Sequence, residues 1–239
     1  IFKSNNIELV EYLINLGISI SDNTLNTCCS IANLELVKYF INAGLVPNDF
    51  SLSLACGSKN FELIHYLIKL NIKVNKYHLD SVSKLGNLEL VKYIINLLAV
   101  SNIFPDEVTL NEACKSGNIE LIKYLVDLSI IPNQFTLQIV CRYGYLEVAQ
   151  YIISLGITPI QHTLDRASIS GNLELVKYLI NDFGIVPDKL TLDNGCYKGN
   201  LDLINYLLSF GLIPDEDTLT IARNDVFEYL NEIIKKVKY

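Results

Sequence analysis

Methionine and tryptophan are absent from this 239-residue chain, and arginine is scarce. Asn, Ile, Leu and Lys are abundant instead, which is the composition of a gene from an AT-rich genome and bears on origin, not on activity. Charged residues make up only 19% of the chain, against roughly 25% in an average soluble domain. What charge there is leans acidic, with a formal net of −7. Nucleic-acid binders present a basic face, so this balance argues against that partner. No apolar run reaches the roughly 18 residues that a membrane helix needs, and the best stretch, Tyr93 to Val100, is far too short. A leader peptide is not in view. No P-loop, G-x-G-x-x-G, G-x-S-x-G or H-E-x-x-H pattern is present, so no cofactor, metal or hydrolase chemistry is expected. Half of the residues are apolar, which excludes disorder.

What the chain does have is a repeat. The segment Asn33-Leu34-Glu35-Leu36-Val37-Lys38-Tyr39 recurs in copies that begin at Asn6, Asn33, Asn60, Asn87, Asn118, Tyr145, Asn172 and Asn200, at steps of 27, 27, 27, 31, 27, 27 and 28 residues. All six prolines, Pro47, Pro105, Pro132, Pro159, Pro187 and Pro214, fall four residues before a Ser or Thr. The residue after the proline is usually an N-cap type: Asn48, Asp106, Asn133, Asp188, Asp215. Ten of the twelve glycines occupy two slots, one after each of two short helices. Each unit therefore reads as cap, helix A, Gly, helix B, Gly and a Pro-containing loop. In one unit, helix A is expected over Glu107–Ser116 and helix B over Ile119–Asp127, with Lys123 placed to pair with Glu120. Helix B is too short and too apolar to stand alone, so neighbouring units must cover it. The expected fold is all-α, an α-solenoid of stacked helix-turn-helix repeats forming one domain over 1–239.

The string from Thr109-Leu110 through Ala113-Cys114, Gly117-Asn118-Ile119-Glu120-Leu121 to Val126 resembles the helical part of an ankyrin repeat. The likeness extends along essentially the whole chain and is nearest to the divergent arrays of large DNA viruses. Here the family's T-P-L-H tetrapeptide is reduced to Thr-Leu, and the segment between repeats is about five residues shorter than the family's. The resemblance thus implies ankyrin-like stacking with reduced or absent β-hairpin fingers. It also implies a scaffold that binds a protein partner along a concave groove. A second echo, Gly-Ile/Leu-x-Pro-Asp-x-x-Thr, is similar to the RNA-binding pentatricopeptide repeat, whose period is near 35. A single-stranded RNA-binding helical repeat is therefore the alternative, disfavoured by the acidic charge.

Residues that could carry chemistry fall into the repeat. Cys29, Cys56, Cys114, Cys141 and Cys196 share one position of helix A, which Ser83 and Ser168 fill elsewhere. Free Cys behaves as a small hydrophobe there. Equivalent residues of stacked repeats lie about 10 Å apart, beyond the reach of a disulfide. Six unpaired thiols point to a reducing, intracellular setting, host cytoplasm for a viral chain. The carboxylate stripe Glu8, Glu35, Glu62, Glu89, Glu120, Glu147, Glu174 and Asp202 matches helix dipoles rather than forming catalytic pairs. The tyrosine ladder from Tyr12 to Tyr206 reads as core or groove lining with the hydroxyl at an edge. His65, His78 and His162 have no ligand-spaced companion. No enzyme is expected, and the protein is read as a monomer.

Positions that vary from repeat to repeat are the candidates for recognition. These are the residues before the Gly of helix A, Lys84, Lys115, Arg142, Tyr143, Tyr197 and Lys198, and the residue before the Thr slot, Phe50, Tyr77, Phe135 and His162. By resemblance both sets face the concave groove. Aromatics and Arg are enriched at binding hot spots. Register places Ile1 inside a helix A, so a longer parent protein is expected. Residues 215–239 read as a compressed closing unit, with a terminal helix over Asn224–Tyr239 and Lys235, Lys236 and Lys238 at its end. The extra residues near Leu97–Ile103 read as an added helical turn or a longer loop.

Overall fold

A computed structural model describes residues 7–58 and 60–237, and among them all regular structure is helical, with no strand. In chain order the helices are α1 (Ile7–Asn15), α2 (Asp22–Ser30), α3 (Leu34–Asn42), α4 (Asp49–Cys56), α5 (Phe61–Lys69), α6 (Lys76–Ser83), α7 (Leu88–Ala99), α8 (Glu107–Cys114), α9 (Ile119–Asp127), α10 (Gln134–Tyr143), α11 (Leu146–Ser154), α12 (Gln161–Ser170), α13 (Leu173–Phe183), α14 (Lys189–Lys198), α15 (Leu201–Leu208), α16 (Glu216–Ile221) and α17 (Asn224–Val237). Even numbers are the A helices of the repeat and odd numbers the B helices.

Most A helices begin with a reciprocal cap, with α2 and α12 lacking the acceptor side chain's bond. In α10, Asn133 Oδ1 accepts from the amides of Phe135 (2.9 Å) and Thr136 (3.1 Å), while Thr136 Oγ1 accepts from the Asn133 amide (3.2 Å). These bonds satisfy helix-start N–H groups that have no intrahelical partner. This is the reason for the invariant step from cap residue to hydroxyl. Ile160 breaks the pattern: Thr163 Oγ1 still accepts from its amide (3.2 Å), but Ile160 offers no side-chain acceptor in return.

Helices α3, α5, α7, α9, α13 and α15 open on Asn, while α11 opens on Tyr145, and the amide side chain can be used at both ends. Asn172 Oδ1 accepts from the Leu175 amide (3.0 Å), and its Nδ2 donates to the Gly144 carbonyl of the preceding repeat (2.8 Å). Asn60 does the same toward Ala32, and Asn200 toward Gly171. Asp would cap the helix equally well, but its ionised carboxylate supplies no second donor. The slot at the end of helix A is left-handed, and glycine serves there for a further reason. A Cβ on Gly117 (φ 73°) would stand 2.6 Å from the Tyr145 ring, which lies against it. Ala32 holds positive φ in this slot without being glycine, as Asn71, Asn102 and Ser129 do after the B helices α5, α7 and α9.

The chain forms two compact units, 1–116 and 117–239. In the first, α2, α4, α6 and α8 lie side by side, and α3, α5 and α7 each pack on the A helix before them. In the second, α10, α12, α14 and α16 form the row, backed by α11, α13, α15 and α17. Apolar positions on the inward faces are fully buried, among them Phe40, Leu63 and Leu67 in the first unit and Leu121, Leu137 and Leu179 in the second. Burying such a side chain is worth about 1.5–3 kcal/mol. The row of fixed A-helix positions thus supplies one face of each core and the B helices supply the other.

The sequence reading holds for helix B of the worked unit, which spans Ile119–Asp127 as expected. Helix A there stops at Cys114, two residues early. The Lys115 and Ser116 amides bond three residues back, to Glu112 (3.1 Å) and Ala113 (3.0 Å), and tighten the end into a turn. The long step after Asn87 is resolved as an added turn: α7 has 12 residues, against 9 in α3 and α5. Lys123 does not join Glu120. Its Nζ sits 5.7 Å over the Tyr151 ring of the next repeat, a cation–π contact. The helix A that was to contain Ile1, and the start of the first copy at Asn6, lie outside the described residues, as do the side chains of Lys236 and Lys238.

Candidate binding surface

The second, sixth and ninth residues after each A-helix cap lie on one strip, because 3.6 residues make a turn. The fourth, seventh and eighth face the core. This division explains why the candidate residues vary: they lie outside the core. Phe50 is 58% exposed, Tyr77 64%, Phe135 58% and Tyr197 65%. Lys84, Arg142, Tyr143, His162 and Lys198 are exposed too. Lys115 is half-buried and joined to Glu112, one turn back on the same strip.

In the first unit, Tyr77, Lys84 and Lys115 meet in an open cleft of about 740 Å³. Its walls come from α4, α6 and α8, with Ser53, Asp80, Ser81 and Glu112 as the other polar groups. Phe50 lies outside this cleft. In the second unit, the candidates are spread over α10, α12 and α14. Tyr143 stacks on Tyr145, with ring centroids 6.1 Å apart and planes within 10°. The Arg166 guanidinium donates toward His162 Nε2 (3.4 Å), four residues away on α12.

Beneath the strip runs a set of polar joints that sequence reasoning missed. The hydroxyl at the third position of one A helix donates to the fifth-position side chain of the A helix before it. Thr109 Oγ1 donates to Asp80 (2.7 Å), Thr191 to Asp165 (2.9 Å), Thr218 to Asp193 (2.8 Å) and Ser51 to Asn26 (2.7 Å). The first-position residue completes the joint. Lys76 Nζ donates to Asp80 (2.7 Å) and to Asp106, the cap of the next repeat (2.8 Å). Lys189 does likewise with Asp193 (3.0 Å) and Asp215 (2.9 Å). The Thr218 amide and Lys189 hold the Asp215 carboxyl down at about 2. Gln161 takes the lysine's place beside Asp165, and there burial pushes the carboxyl upward.

His78 fills the hydroxyl slot of α6, where burial pushes its pKa down. Its Nδ1 accepts from the Asn75 amide (3.1 Å), so the network assigns the proton to Nε2, which faces Ser53 Oγ at 3.1 Å. The ring therefore imitates threonine: it accepts from its own cap and reaches the preceding repeat.

The remaining candidates have structural surroundings. All six cysteines are buried and unpaired. Burial pushes the thiols of Cys29, Cys56, Cys114, Cys141 and Cys196 up to about 12 and that of Cys28 to about 11. A nucleophilic thiol needs the opposite shift. The glutamates of the stripe sit in the first turns of the B helices, and Glu35, Glu89 and Glu174 pair with lysines three residues on (2.9, 3.0 and 3.0 Å). Tyr39 and the tyrosines equivalent to it up to Tyr206 are half-buried. Tyr206 donates to Asn181 of the preceding repeat (3.2 Å). Among the described residues, no three His, Cys, Asp or Glu side chains group as metal ligands.

Residues 110–191 match the family model for ankyrin repeats, in three copies. Among solved structures, the human ASB11 ankyrin repeat domain is 21% identical, with a TM-score of 0.50, over 78% of this chain and 96% of that one. The pentatricopeptide repeat protein PPR10 from maize is 17% identical, with a TM-score of 0.55, over 98% of this chain and 42% of that one. Both likenesses concern the fold of stacked helical repeats. No curated protein matches by sequence.

Proposed function

We propose that this chain, an ankyrin repeat protein, is a binding scaffold that takes a protein partner on the exposed strip of its A helices, inside the cell and without catalysis. Ankyrin repeats are protein–protein interaction modules. One observation carries the assignment to this strip. Phe50, Tyr77, Phe135 and Tyr197 sit more than half exposed on helices whose core-facing positions are buried. A partner that covers them gains the apolar burial the fold leaves unused. Six buried, unpaired thiols support a reducing compartment.

The test is capture of partners from cells of the source organism, with Phe50→Ala/Tyr77→Ala and Phe135→Ala/Tyr197→Ala double variants run beside the wild type. Each pair is exposed, so both variants are expected to fold, as circular dichroism would check. At least one pair is expected to lose a specific partner. Retention of every partner by both variants would remove this strip as the site.

A further inference from the structure

The chain has three arginines, Arg142, Arg166 and Arg223, and all three lie in the second unit. Each comes from an A helix or the turn that ends one. Arg142 is at the ninth position of α10, Arg166 at the sixth of α12, and Arg223 just past α16. Arg223 is held over Gly199 and donates to the Lys198 carbonyl (3.2 Å), which places it beside the end of α14. Lys198 adds a fourth cation from α14 itself. Side by side, α10, α12 and α14 thus each carry a cation, Arg142 and Lys198 in the last turn and Arg166 in mid-helix, and Arg223 follows α16.

Their surroundings make this unusual. Residues 117–239 contain fifteen Asp and Glu against ten Lys and Arg, a balance of −5. Yet Arg142, Arg166 and Lys198 take part in no ion pair among the described residues, while Lys177 and Lys189 of the same unit are paired. Exposed aromatic rings lie among the cations: Phe135, Tyr143 and Tyr197. Helix dipoles favour cations at C-terminal ends. That accounts for Arg142 and Lys198, which sit in last turns, but not for Arg166 in the middle of α12 or for the rings.

Resting on the scaffold reading above, we infer that the second unit's A-helix strip binds an extended polypeptide with acidic side chains spaced about three residues apart. Packed helices stand roughly 8–10 Å apart, and three residues of extended chain advance about 10 Å. One guanidinium or ammonium per helix therefore meets one carboxylate per three residues. Arginine grips a carboxylate with two parallel N–H bonds, and the rings take the apolar side chains between. A single-stranded nucleic acid fits less well. It brings a charge with every nucleotide into a unit that is acidic overall, and one cation per helix does not neutralise it.

The probes are a fluorescein-labelled dodecapeptide with Glu at every third position and Leu and Ser between, its Lys twin, and a uridylate dodecamer. Fluorescence anisotropy of the full chain at low salt is expected to show saturable binding of the Glu peptide alone. Binding should fall more than tenfold in Arg142→Ala/Arg166→Ala and stay unchanged in Lys69→Ala, which alters an exposed lysine on B helix α5 of the first unit. Absence of Glu-peptide binding, equal binding by the double variant, or tighter binding of the uridylate would each overturn the inference. A selection of displayed random peptides separates this from the scaffold reading. Neutral or basic winners lost on Phe135→Ala would remove only the acidic specificity. Winners indifferent to every change on either strip would remove the scaffold reading as well.

Discussion

The joint between α6 and α8 and the joint between α12 and α14 share one plan and differ in one residue. In both, a threonine hydroxyl donates to an aspartate one repeat earlier, Thr109 to Asp80 and Thr191 to Asp165. Lys76 closes the first with a charge, whereas Gln161 closes the second with an amide. Lys76 pulls the cap carboxyl of Asp106 down, while burial with only neutral donors pushes Asp165 up. The hydroxyl bond thus recurs in both joints, and the first-position residue decides whether a cation or a neutral amide faces the carboxylate. The joint between α14 and α16, closed by Lys189, falls with the first type.

The largest effect is expected from removing the hydroxyl where no cation stands in reserve. Thr191→Val should cost about 2–3 kcal/mol, the upper range for a hydrogen bond to a charged group. Thr109→Val should cost about half as much, since Lys76 still holds Asp80. Urea unfolding followed by hydrogen exchange in each joint would check this, and equal costs would break the comparison.

Gln161→Lys should convert the second joint into the first and stabilise it by about 1 kcal/mol at neutral pH, the scale of a partly exposed pair. That gain is expected to depend on pH. Asp165 binds its proton more tightly folded than unfolded, so in the wild type folding is favoured as pH falls through the raised value toward the ordinary 3.8. The variant lacks this compensation, and its advantage should shrink steadily from pH 7 to pH 4. Asp215 has the opposite sign. Its carboxyl is lowered to about 2, so its contribution is present above 3.8 and is lost between there and about 2. His78, lowered from 6.5, costs stability as pH drops below that value, because the unfolded ring takes the proton first. A His78→Thr variant should flatten the dependence near pH 6 in the first unit and leave the second unchanged.

The smallest effect concerns the same α12. Ile160→Asn supplies the missing cap acceptor for Thr163 and should add about 1 kcal/mol or less, read as a shift in the urea midpoint. No shift would mean that the bond from the Thr163 amide to the Ile160 carbonyl (2.8 Å) already serves in place of the side-chain cap.

Much of this was legible from spacing. The steps of 27 residues, the cap-to-hydroxyl interval and the glycine slots fixed the helices, since each rests on bonds made within about four residues. Buried cysteines followed from one shared slot on the core side. The fifth-position acceptors Asn26, Asp80, Asp165 and Asp193 were not legible, because their partners lie 25–29 residues away and their identities vary. Lys123 shows the same limit: its neighbour in sequence is Glu120, but its neighbour in space is a ring from the next repeat.

The amino-acid order by itself determined the repeat, its helices and their inward faces, because apolar periodicity and capping are local. Only the tertiary structure decided which polar groups join successive repeats and which cations remain unpaired. A side chain's choice among charged neighbours depends on distances across the stack, and the stacking of the repeats sets those distances.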